Sequence, residues 1–151
     1  MVAVLSQPVF GGSADLPIAS GTRTIVTATQ DQGVRRLVYC WGPSIALPRH
    51  PWNRTFAVVF GLIKALPGTR AFIAESAGAG EAVRSSGLDW TIVAVARPVD
   101  KPAAGKLKVR TGTGQGDKVG MTATSRDDLA GFLLQEATGT RYLHQSVLVS
   151  N

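Results

Sequence analysis

Cysteine is almost absent from this chain. Cys40 stands alone among 151 residues, so no internal disulfide can form and a cysteine-based metal site has no support. Nor is there an apolar run near the roughly 18 residues a membrane span requires, so no membrane partner is expected. The opening MVAVLSQPVF has no basic flank and only a short apolar piece, unlike a signal peptide. A cytoplasmic protein is the expectation. Charge is sparse too: 17% of residues are charged against 44% hydrophobic, which excludes a disordered, self-repelling chain. The two histidines, His50 and His144, lie far apart with no carboxylate partner in view, and are expected to be ordinary surface residues. No Tyr-x-x-x-Lys pair exists, since Tyr39 is followed four residues on by Pro43, and Tyr142 by Ser146. A GxGxxG turn is missing as well. Gly11-Gly12 lacks that spacing and runs into a stretch with Asp15 and Pro17, not into a helix.

What the chain does have is basic excess and buried strands. The formal charge is +6. The densest basic group is Lys101, Lys106, Lys108 and Arg110, followed by Lys118. It carries no interleaved aromatics and no nucleic-acid motif, so a solvated basic β-ribbon is favoured over a nucleic-acid or phosphate patch. The organising stretch is 86–102, SGLDWTIVAVARPVDKP. Gly87 can take the left-handed conformation that ends a helix. The run 90–96 is apolar and β-branched without alternation, the pattern of a strand buried on both faces of a parallel sheet. Arg97 and Pro98 stop it. Ligands of open α/β sheets bind at the carboxyl ends of strands, which directs attention to residues 95–100.

Other elements follow from periodicity. Residues 2–5 form a short strand and 7–17 a loop. Ser20 is a candidate N-cap for a helix reaching about Gln32, with Ile18, Thr22, Ile25, Val26 and Thr29 inward and Gly33 closing it. A buried strand follows over 34–40. Residues 41–54 are a Pro-rich loop, 56–66 a helix, and 70–85 a further helix weakened by Gly78 and Gly80 at about 1 kcal/mol each against alanine. Residues 106–111 alternate as a half-exposed strand, and a Gly-rich loop covers 112–120. Thr124 or Ser125 caps a helix with Asp127 and Asp128 in its first turn. Leu129, Phe132 and Leu133 face inward on that helix, with Glu136 outside. Residues 145–149 are the last strand. The expected fold is α/β, an incomplete Rossmann-like and mostly parallel sheet flanked by helices, with a small β-ribbon near Lys106.

The phrase SGLDWTIV, the strand ending in Arg97-Pro98 and the later SRDDLAGFLL resemble the NAD(P)H-binding branch of the atypical short-chain dehydrogenases. That family includes NmrA-like proteins and members of the biliverdin-IXβ reductase/flavin reductase type. ASGTRTIVTATQDQGVRRLV, DKPAAGKLKV and the tail TRYLHQSVLVSN fit in the same order, so the resemblance covers nearly the whole chain. It implies a single NAD(P)-binding Rossmann-like domain over 1–151, corresponding to the C-terminal portion of the family fold. The family's strand, glycine-rich turn and helix, which hold the cofactor pyrophosphate, precede the part that looks like this chain.

The resemblance implies an NAD(P)H-dependent oxidoreductase acting on a small planar acceptor such as a flavin or quinone, with NADP or NAD as cofactor. The alternative is a truncated or degenerate, non-catalytic NmrA-like binding or regulatory module. Where the family's reductase-type members carry a Thr-Ser pair, this chain has Trp41-Gly42, with Ser44 two residues on. Where a histidine is expected after the central strand, it has Arg97. Arginine holds its proton near neutral pH, so Arg97 either binds an anionic substrate or cofactor phosphate or is a solvent-facing strand end. The candidate cofactor-binding residues are Ser6, Gln7 and Pro8, then Cys40, Trp41 and Gly42, then Ala96, Arg97 and Pro98. Cys40 reads as a buried small hydrophobe before a reactive thiol, and Trp41 and Trp52 either cover a pocket or pack the loop. The partners expected are a small-molecule substrate and, through the uncovered edge of the strand at 2–5, another copy of the chain.

Overall fold

The computed structural model describes residues 1–5, 18–42, 69–111 and 123–151. The candidates Ser6, Gln7 and Pro8, together with Gly11-Gly12, Ser44, His50, Trp52, the helix expected over 56–66 and most of the Gly-rich loop, lie outside the described residues.

Seven strands and three helices are described. In chain order they are β1 (Val2–Val4), α1 (Ile18–Asp31), β2 (Arg36–Trp41), α2 (Thr69–Arg84), β3 (Asp89–Val95), β4 (Arg97–Val99), β5 (Lys108–Arg110), β6 (Ala123–Ser125), α3 (Arg126–Thr138) and β7 (Gln145–Ser150). The main sheet runs β1-β2-β3-β7-β5. Its first four strands are parallel, and β5 pairs antiparallel with β7. The basic segment near Lys106 therefore joins the main sheet as its edge and does not form a ribbon of its own. The second, two-stranded sheet is β4 beside β6, parallel, with Arg97 opposite Ala123.

Both faces of the central strands are covered, which is why their sequences show no alternation. Leu37, Tyr39, Trp41, Trp90, Ile92, Ala94 and Leu148 face one core, closed by Ile18 and Val26 of α1 and Ala79 and Val83 of α2. Val38, Cys40, Val93, Val95, Val147 and Val149 face the other, closed by Leu129 and Leu133 of α3. Tyr39 is fully buried, and its hydroxyl is satisfied by Thr22 Oγ1 at 2.7 Å. Gly78, a cost to α2 as a helix, has a packing reason. A Cβ there would meet the Ala19 Cβ at 3.1 Å, so the glycine lets α1 and α2 close on each other. Gly33 and Gly87, at φ +66 and +69, make the left-handed exits from α1 and α2.

Three local expectations change. Helix α1 starts at Ile18, which places Ser20 inside its first turn. Ser125 is the residue that caps α3, yet its hydroxyl makes no cap bond and donates to Lys101 O at 2.9 Å. Glu136 is buried, not exposed. Its side chain is 4% accessible and meets Arg36 Nη2 at 3.5 Å. The Arg36 guanidinium also donates to Glu136 O, Gly139 O, Asp89 O and Thr91 Oγ1. It thus ties the C-terminal end of α3, where carbonyls lack intrahelical partners, to the amino ends of β2 and β3. Burial lowers the Arg36 pKa from its ordinary value, and Glu136 and Asp89 oppose that shift.

Candidate functional site

The parallel register brings strand ends together. Trp41 lies beside Ala94, so Gly42 and Ala96 leave the sheet at the same, carboxyl edge. The nine candidates divide by what surrounds them. Cys40 is buried against Val38, Val93 and Val95 beneath α3, and burial pushes its thiol up to about 12. Such a thiol is neither ionised nor nucleophilic near neutral pH. Trp41 is 3% exposed and faces the opposite core, stacked on Phe72 with ring centroids 6.5 Å apart. Its Nε1 donates to Ser76 Oγ at 3.3 Å. Trp41 therefore packs under α2 and lines neither cavity found among the described residues.

Gly42 and Ala96 are half-buried, and Arg97 and Pro98 are exposed on β4. A Cβ at Gly42 would meet nothing within 4 Å. The Arg97 side chain makes no hydrogen bond or ion pair among the described residues, whereas nearby Arg126 is engaged by Asp100. Gly42 follows β2 and Arg97 follows β3 at this carboxyl edge. Two cavities lined by described residues lie elsewhere. The larger, of about 480 Å³, lies between α3 and β5, over Leu107, Val109, Phe132 and Tyr142.

A dinucleotide needs a seat for its pyrophosphate, ordinarily backbone N–H groups at a helix N-terminus. The three described helices each precede a parallel strand and start at the carboxyl edge, and two of them carry in-chain carboxylates there. On α1, the Ala19 N–H donates to Glu75 Oε2 at 2.9 Å. On α3, Asp127 and Asp128 occupy the first turn. Each carboxylate opposes a phosphate at that place. The N-terminus of α2 carries no acidic residue in its first turn, so no carboxylate opposes a phosphate there.

The carboxyl edge is braced by a clasp that sequence reasoning missed. Asp128 accepts from Ala104 N at 2.8 Å, Gly105 N at 3.1 Å and Asn151 Nδ2 at 2.8 Å. Asn151 Oδ1 in turn accepts from Ser125 N at 2.5 Å. The connection after β4 is so pinned to α3 and to the last residue of the sequence. The Ala104 amide, with Asn151, Gly105 and Lys101, lowers the Asp128 carboxyl below its ordinary value against a smaller desolvation effect. Glu75 was also missed. It lies in α2, 56 residues from the amide it holds, and no local pattern marks it.

An α/β sheet of this order, with helices on both faces, defines a Rossmann-like fold. The family model described as NAD(P)H-binding matches residues 2–139, and the chain belongs to that family. Solved structures with the same fold include a wide-type short-chain dehydrogenase/reductase from Veillonella parvula DSM 2008 in complex with NADP. It is 17% identical, with TM-score 0.66, over 88% of this chain and 58% of that one. The oxidoreductase ylbE from Lactococcus lactis is 14% identical, with TM-score 0.65, over 94% and 59%. The anaerobillin reductase ChuY from Escherichia coli O157:H7 is 15% identical, with TM-score 0.64, over 99% and 63%. The chain thus spans 58–63% of the length of these structures. No curated protein matches it.

Proposed function

We infer that this chain is the acceptor-side portion of an NAD(P)H-dependent oxidoreductase of the atypical short-chain dehydrogenase type, acting on a small planar acceptor such as a flavin or quinone. Membership of the NAD(P)H-binding family supports it, as does the placing at one carboxyl edge of Gly42 and of Arg97, whose side chain is unpaired among the described residues. That juxtaposition is the observation that carries it. Hydride chemistry in such enzymes belongs to the nicotinamide, and the protein supplies position and charge. Here Arg97 holds an anionic group of acceptor or cofactor by charge-assisted hydrogen bonds, and Gly42 lets a flat ring approach the backbone. Ser6, Gln7 and Pro8 are proposed as further cofactor-binding residues on the family resemblance.

The non-catalytic alternative rests on one specific observation: Glu75 occupies the α1 N-terminus and Asp127 and Asp128 that of α3. A chain so arranged serves as a binding or regulatory module of the same fold. Titration of NADPH and NADH into the purified chain, followed by tryptophan fluorescence and calorimetry, separates the two. Saturable binding that Arg97→Ala weakens supports the reductase. A folded chain that binds neither nucleotide supports the module.

A further inference from the structure

We propose that the cavity between α3 and β5 binds a small aromatic carboxylate. At about 480 Å³ it has the size of a small-molecule site. It lies at the β5 end of the main sheet, and none of the nine candidate cofactor-binding residues lines it.

The floor is apolar and preformed. Leu107, Val109, Phe132 and Tyr142 pack against the core beneath α3 but stay half-buried. The Phe132 and Tyr142 rings stand 6.0 Å apart at 45°, an open wedge. Rings at such separations attract one another through edge and offset contacts, which a third flat ring can share. Tyr142 is held from behind, since its carbonyl accepts from Thr91 Oγ1 at 2.7 Å and from Gln145 N at 3.3 Å. A wedge fixed before the ligand arrives lowers the ordering cost of binding.

Arg141 supplies the charge. Its guanidinium lies 5.4 Å from the Tyr142 ring centre, and its N–H donors meet no acceptor among the described residues. A guanidinium stacked on a ring keeps its planar fork of donors free at the edge, which suits a carboxylate. The three carboxylates of the lining do not take that place. Glu136 is paired with Arg36. Asp128 is held by Ala104 N, Gly105 N and Asn151 Nδ2. Asp127 sits in the first turn of α3, roughly 16 Å along the axis from the last turn and so beyond a Debye length. The net charge of +6 also favours approach of an anion.

Gly131 is an independent sign of a ligand. Glycine inside a helix is destabilising. Gly78 has a packing reason, and at Gly139 a Cβ would stand 2.9 Å from Gln135 O. Gly131 has no such reason. It lies in the middle of α3, its φ is not left-handed, and a Cβ there would meet nothing within 4 Å. It lines the cavity, so the space a side chain would fill is the cavity itself. The ligand ring lies over Gly131 in the wedge, and its carboxylate takes the Arg141 fork.

The test is calorimetric titration of naphthoate, a two-ring aromatic carboxylate, into the full chain, with side-chain NMR to locate it. The wild type is expected to bind, with shifts of the Phe132 and Tyr142 ring protons. Naphthylmethylamine, the same rings with the opposite charge, should bind about tenfold more weakly or worse. Arg141→Ala should weaken naphthoate about tenfold or more without moving the melting temperature, because the side chain is exposed. Gly131→Gln should weaken it as much while raising the melting temperature by about 2–4 °C, which separates a blocked site from an unfolded one. A folded wild type that gives no heat at millimolar naphthoate overturns the proposal. An amine that binds as tightly as the carboxylate does so too. Binding that Arg97→Ala weakens and Arg141→Ala leaves intact belongs to the carboxyl edge and overturns it equally.

Discussion

Replacing Arg36 with methionine tests how the sheet holds α3. Methionine keeps an unbranched apolar stem but removes every donor of the guanidinium. Five acceptors then lose the guanidinium at once: Glu136 Oε2, Glu136 O, Gly139 O, Asp89 O and Thr91 Oγ1. The carboxylate is the costly one, because it is 4% accessible and Arg36 is its one ion-pair partner among the described residues. Breaking one side of a buried pair costs about 3–5 kcal/mol. For a domain of this size that is a fall in midpoint of roughly 10 °C or more. Urea unfolding followed by circular dichroism measures it. Arg36→Met with Glu136→Met should recover most of the loss, because an apolar pair replaces a buried ionic one at little net cost. A single mutant within about 0.5 kcal/mol of wild type, or a double mutant no better than Arg36→Met, would refute the clamp.

Further outcomes follow from other parts of the molecule. Asp128→Asn should destabilise at neutral pH. The Asp128 carboxyl is lowered in the folded state, so its contribution is present above the unfolded-state value and is lost as pH falls through the folded one. The gap between variant and wild type in urea should therefore close in strong acid, and a pH-independent gap contradicts the clasp. Cys40, pushed up to about 12, should resist alkylation at mildly alkaline pH until urea unfolds the chain; rapid modification of native protein would contradict its burial. Gly87→Ala should cost about 1–2 kcal/mol, because residue 87 sits at φ +69, and an unchanged urea midpoint would argue against that turn.

Much of this fold is legible in the sequence, and the exceptions have physical causes. The unbroken apolar runs of β2 and β3 announce strands covered on both faces, and the glycines at 33 and 87 mark where helices end. The inward face of α1 follows its helical spacing. Arg36 and Glu136 were legible only in part. Glu136 sits seven residues after Leu129, on the buried line of α3, but charge alone reads as solvent-facing unless its partner is known. Arg36 is 100 residues away in sequence, and only the packing of α3 over β2 joins them. The neighbour of the basic strand near Lys106 was not legible for a similar reason, since alternation marks a half-exposed strand without naming its partner.

The candidate site was legible as an edge but not as a cavity. Strand ends can be read from where apolar runs stop, and the register places Trp41 and Ala94 side by side as those ends imply. Side-chain direction cannot be read that way. Trp41 turns under α2 onto Phe72 and Ser76, and the Glu75 carboxylate that occupies the α1 N-terminus comes from a different helix.

The most direct measurement is a titration of NADPH and NADH into the folded wild-type chain, with Arg97→Ala alongside. Saturable binding in the micromolar range, about −8 kcal/mol, is expected, with a substantially weaker isotherm for Arg97→Ala and an unchanged melting profile. No heat and no fluorescence change at millimolar nucleotide, from a sample whose circular dichroism shows it folded, would contradict it.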